Sequence, residues 1–126
     1  MSVSRRQARR QALFLLYQWD LSGQEIGSQY EGEIDPWARE LASTVSLNAA
    51  PLDARITGAS EGWTADRLGA VERTALRVAV HELESHAVPA EVAINEAVAF
   101  AKRYSSEDAA RLVNGILGKI QREEAA

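Results

Sequence analysis

The chain has 126 residues, 46% of them apolar and 25% charged, with no cysteine and a formal charge of −4. These totals describe one globular domain that buries roughly two-thirds of its unfolded surface, and they exclude disulfides, thiolate metal sites and a disordered chain. The longest apolar run, Ala12 to Tyr17, is far shorter than the roughly 18 residues of a membrane span and follows arginines without a small-residue cleavage site, so the sequence reads as cytoplasmic.

Apolar residues recur at helical spacing nearly throughout, and no segment alternates long enough for a strand. The pattern predicts an all-α bundle of about six to seven helices. Ser4 can cap a first helix running to about Leu21, and Ser22 to Asp35, rich in glycine and acids, reads as a loop. Asp35 caps a second helix with Pro36 in its first turn and Trp37, Leu41 and Val45 on its inner face. A shorter helix holds Leu52 and Ile56, and Thr64 can cap the next turn of chain. Gly69 separates a brief turn around Leu68 from a helix spanning Val71 to about Ser85. Pro89 opens a helix to Tyr104 whose apolar arc gathers Ala93, Ile94, Ala97, Val98, Phe100, Ala101 and Tyr104. Ser105 or Ser106 caps the last, which runs to about Arg122 with Ala109, Val113, Ile116, Leu117 and Ile120 on its inner side.

Charge is unevenly spread over these elements. Arg5, Arg6, Arg9 and Arg10 stand in the first 19 residues with no acid among them, leaving −8 on the other 107. A basic end on an acidic body suggests a polyanion-binding arm, with a solvated helix end as the plainer alternative. Arginine outnumbers lysine 12 to 2 along the whole chain, so arginine richness alone carries little weight. Projected on a helix, Ala8, Ala12, Leu15, Leu16 and Trp19 form one apolar face, and the four arginines cover roughly the opposite side. Arg6, Arg10, Leu13 and Tyr17 form a second stripe that passes from cations to apolar and aromatic groups. The second half of this helix is thus apolar nearly all round, as in a helix that is either central in its bundle or covered by another protein. Guanidinium groups arranged this way can fork phosphates and stack on unpaired bases, which suits single-stranded RNA better than a duplex groove.

In AVERTALRVAVHELE, Glu72 and Glu82 project from within a broad apolar arc. A carboxylate there must be exposed at a gap, paired internally, or matched to a basic partner. Catalysis has no visible foothold, because no P-loop, GxGxxG or GxSxG is present. HELESH looks like a zinc-protease helix, yet its histidines, His81 and His86, are five apart, which sets them about 140° apart on a helix, so they cannot share a metal. Gly115 and Gly118 in NGILGK read as close helix packing rather than as an RNA-clamping GxxG loop.

Three segments, RRQARRQALFLLYQWD, VERTALRVAVHELE and VPAEVAINEAVAFAKRYSSEDAARLVNGILGKI, together resemble the NusB family of bacterial transcription antitermination factors. The resemblance covers well over half of the chain and is weakest in the loop from Ser22 to Asp35 and around residues 46 to 62. It implies a helical, non-enzymatic protein without a cofactor or metal, which binds boxA RNA of nascent ribosomal RNA leaders together with the small-subunit ribosomal protein NusE, in an RNA polymerase antitermination complex. By matching position, it implies RNA contacts at Arg5, Arg6, Arg9, Arg10, Asp108, Arg111 and Leu112, and NusE contacts at Tyr17, Glu82 and, more weakly, Glu72. Leu112 departs from the pattern, which has an aromatic residue there. Four phosphate contacts would give a salt slope of about −3 on single-stranded RNA. The alternative is a NusB-like protein-interaction module regulated by homodimerisation through its first helix.

Overall fold

The computed structural model describes residues 3–125. Six α-helices follow one another: α1, Arg5–Ser22; α2, Pro36–Leu47; α3, Ala49–Ala59; α4, Ala70–Ser85; α5, Ala90–Tyr104; and α6, Glu107–Ala125. A single 3₁₀ turn, Ala65–Arg67, lies between α3 and α4, and no strand is present among the described residues. The all-helical expectation holds, and the expected helix ends are met within one or two residues, except that the last helix runs three residues beyond Arg122. The chain packs as two units that divide between Asn48 and Ala49. Among the described residues no helix is long and apolar enough to cross a membrane.

In the first unit, α1 begins in a complete capping box. The Ser4 hydroxyl oxygen accepts from the Gln7 backbone N–H at 3.1 Å, and the Gln7 carboxamide oxygen accepts from the Ser4 N–H at 3.0 Å. The helix ends at Gly23, whose φ of 70° is the left-handed conformation that glycine adopts without a side-chain clash. The long loop to α2 is tied down by polar side chains of α1. Gln11 donates to the Tyr30 hydroxyl at 3.1 Å and the Glu33 carbonyl at 3.0 Å, and its own carbonyl accepts from the Asp35 N–H at 2.7 Å. Gln18 adds a bond to the Gln29 carbonyl at 3.2 Å. Asp35 caps α2 through the Ala38 N–H at 3.0 Å, with Pro36 in the first turn as expected. Ala38, Leu41, Ala42 and Val45 form the buried face of α2, but Trp37 is only half-buried.

The second unit is organised around α4, where every residue from Thr74 to Val80 is buried. Helices α4, α5 and α6 pack on one another, and α3 lies against α4 and α6. Arg77 of α4 grips Asp53 of α3 with two parallel bonds of 2.7 Å, a bidentate fork whose guanidinium is almost fully buried. Arg73 fixes the 3₁₀ turn by donating to the carbonyls of Ala65 at 3.1 Å and Leu68 at 2.6 Å. Arg55 ties α3 to the last turns of α6 through Glu123 at 2.5 Å and Glu124 at 3.2 Å. Ser106, one of the two residues expected to cap α6, does so by accepting the Ala109 N–H at 2.9 Å.

Two packing expectations are corrected. Tyr104, placed on the core arc of α5, is 43% exposed, because α5 ends there and the ring turns out over Phe100 at a centroid separation of 5.0 Å. Gly115 and Gly118 do not mediate close helix packing. A Cβ at Gly115 would meet nothing within 4 Å, and one at Gly118 would meet only the Arg122 guanidinium at 3.4 Å.

Candidate nucleic-acid interface

The capping box places Arg5 and Arg6 in the first turn of an ordered helix, and Arg9 and Arg10 one turn later. Arg5, Arg6 and Arg10 are exposed, whereas Arg9 is buried at 5% exposure. The expected even spread of four outward arginines is therefore corrected: Arg9 lies on the side of α1 that faces α2. There the Trp37 indole receives the Arg9 guanidinium at 5.8 Å from its ring centroid and that of Arg5 at 4.4 Å. These are cation–π distances, and they turn Trp37 from the core residue its helical spacing suggests into a platform that orients two of the arginines. The signal for it in the sequence is only that Trp37 opens the helix following the loop.

Further along α1, the second stripe divides. Leu13 is buried and Tyr17 half-buried in the folded chain, so the stripe runs from exposed cations into the interior. Glu82 of α4 is 2% exposed and is engaged by an interaction within the chain. Of the arrangements open to a carboxylate on an apolar arc, exposure at a gap is thus not the one found. Glu72 is half-buried in the first turn of α4. Its carboxylate folds back over Gly69 so closely that a Cβ there would lie 2.1 Å from Oε2, a position where negative charge complements the helix N-terminus.

Asp108, Arg111 and Leu112 come together on the exposed side of the first turns of α6. Arg111 donates to the Asp108 carboxylate, and Leu112 is 38% exposed. Arg111 stands on a ridge between two grooves; the one towards α5, about 340 Å³, is lined by Val98, Lys102, Glu107 and Asn114. Glu107 and Lys102 bridge that groove at 3.9 Å. In HELESH, His81 is half-buried and burial holds its imidazole below the usual 6.5, against the opposing charge of Glu84. His86 is exposed and ends α4 in the left-handed conformation, φ 54°. Among the described residues no three acidic or histidine side chains are grouped for a metal ion.

A family model described as the NusB family matches residues 6–122. The chain belongs to the NusB family. The NusB match runs through both packing units, from the first turn of α1 into the last turns of α6. Among similar proteins, the transcription antitermination protein NusB of Rubrobacter xylanophilus is 45% identical, over 91% of this chain and 88% of its own length. That of Solibacter usitatus is 36% identical, over 96% and 90%. Solved structures agree. NusB of T. maritima superposes with a TM-score of 0.85 at 32% identity, covering 98% of this chain and 94% of that one. A structure described as antitermination factors NusB and NusE in complex with dsRNA gives 0.81 at 30% identity, covering 94% and 96%. The NusB resemblance first drawn from three segments is thus confirmed over nearly the whole chain.

Proposed function

We propose that this chain is a non-enzymatic transcription antitermination factor that binds boxA RNA of nascent ribosomal RNA leaders jointly with NusE, within the RNA polymerase antitermination complex and hence in the cytoplasm. The observation that carries the reading is the likeness, over nearly its full length, to a NusB solved together with NusE and RNA. The geometry of α1 supplies a physical basis. Arg5, Arg6 and Arg10 form an exposed cationic array on a capped helix, and their planar forks suit phosphate oxygens. Trp37 sets the direction of Arg5 while Arg9, held beneath, contributes charge and packing. On α6, Asp108, Arg111 and Leu112 offer a second set of contacts, in which Leu112 gives apolar contact rather than ring stacking. Tyr17 and Glu72 are the positions retained for NusE. Glu82, matched to NusE by position, is buried on α4 and would act from beneath that surface.

Anisotropy of labelled boxA RNA, with and without NusE and with single-stranded and duplex competitors, tests the reading. Arg6→Ala/Arg10→Ala should weaken binding about tenfold or more while leaving helical circular dichroism unchanged, since each charge-assisted phosphate bond is worth about 1.5–3 kcal/mol at most. NusE should tighten binding and sharpen preference for boxA. Wild-type affinity in the double variant, or indifference to NusE, overturns it.

A further inference from the structure

The second unit contains a groove of about 430 Å³ between the turn that follows α3 and the outward face of α6, a volume within the range of ligand sites. Trp63 stands on one side of it, 54% exposed. Its turn is well fixed: the buried Ser60 donates to the Ile56 carbonyl at 2.6 Å, the Trp63 N–H donates to the Ser60 carbonyl at 2.8 Å, and Gly62 takes the left-handed φ of 81°. A large indole is thus held open to solvent on a rigid support, without burial to account for it.

Across from Trp63 lie Arg111, Leu112, Gly115, Lys119 and Arg122. Gly115 contributes bare backbone, with nothing within 4 Å of where a Cβ would stand, so the groove is open above it. The acids of this end of α6 are drawn elsewhere. Glu123 and Glu124 are held by Arg55, and the ordinary carboxyl value of Glu123 is lowered chiefly by that bond. Lys119 and Arg122 act on Glu123 only as smaller contributions, through charge. Among the described residues Glu61 is the only acid that lines the groove, against three cations. An exposed aromatic face flanked by cations is how proteins hold unpaired nucleotides: the base stacks, and the charges follow the backbone.

We propose that this groove binds single-stranded RNA, with a base stacked on Trp63 and the neighbouring phosphates held by Lys119 and Arg122. The inference rests on the RNA-binding reading above and extends its path along α6, because Arg111 and Leu112 belong both to that contact and to the groove. Leu112 lacks the ring expected at its position, and Trp63, facing the same space from another element, supplies one. An acidic peptide would satisfy the cations but would leave the flat face of the indole without a matching partner.

The test uses the full chain and a single-stranded RNA extended by several nucleotides on either side of boxA, read by anisotropy at several salt concentrations. Trp63→Ala should weaken binding about tenfold without changing the salt slope, and Trp63→Phe should retain most of the affinity, since stacking is sequence-tolerant and not ionic. Lys119→Glu/Arg122→Glu should flatten the slope by about 1.4, at roughly 0.7 per phosphate contact. If Trp63→Phe loses as much as Trp63→Ala and both melt earlier than wild type, Trp63 is structural and the proposal fails. It fails equally if Trp63→Ala and the charge variant both bind as wild type while Arg6→Ala/Arg10→Ala does not, in which case the arginine reading stands alone. Absence of RNA binding by the wild type sinks both. A Trp63 indole N–H resonance that moves with polyglutamate but not with oligouridylate RNA reassigns the groove to an acidic protein segment and overturns the proposal.

Discussion

Thr74 sits in the second turn of α4 with no exposed surface, and its hydroxyl oxygen has no hydrogen-bond partner among the described residues. A buried unmade bond costs about 1–3 kcal/mol, so Thr74→Val, which keeps the shape and removes the hydroxyl, should stabilise the protein by about 1 kcal/mol and raise the melting temperature in a thermal scan. At this same scale the sequence was least legible. Helical spacing assigns a residue to an arc but does not say which neighbour lies over it, so Arg9 and Arg10 looked alike although one is buried and the other exposed. Trp37 looked like core for the same reason, its arginine partners being brought to it only by the return of the chain through the loop. Gln11 carried no visible signal at all, because the three groups it bonds are 19 to 24 residues away. Glu82 was legible as an anomaly, and the structure buries it.

Helices were legible nearly to their ends, because the signals that stop and start them are local. Ser4, Asp35 and Ser106 accept the backbone donors of the turns they open, and Gly23 closes α1. Thr64 precedes the 3₁₀ turn without making a side-chain cap bond of its own; the Ala65 N–H is taken by Thr57 at 2.9 Å instead. The glycines of the last helix misled, since a helical glycine suggests close packing and Gly115 faces open space. Gly58 shares that openness within α3, where a Cβ would meet nothing within 4 Å. Gly58→Ala should therefore gain the helix propensity difference, about 0.5–1 kcal/mol, with no steric cost, measurable as a higher denaturant midpoint at constant m.

Across the whole molecule, the separation of a basic start from an acidic remainder was plain from composition, and its family meaning followed from three segments. What composition could not supply is the number of charges that face outward. With Arg9 buried, three arginines of α1 are presented instead of four, and the salt slope from α1 on single-stranded RNA falls from about −3 to about −2. Arg6→Ala/Arg10→Ala should flatten the measured slope by about 1.4, whereas Arg9→Ala should lower the melting temperature more than it changes the slope.

The capping box at Ser4 has a consequence for the thermodynamics of encounter. Because Ser4 and Gln7 already close the first turn, the backbone that bears Arg5 and Arg6 is ordered before any polyanion arrives. Association then restricts side-chain rotation alone, without the folding of an arm, and the heat-capacity change on binding should be small compared with that of an arginine-rich segment that becomes helical only on its target.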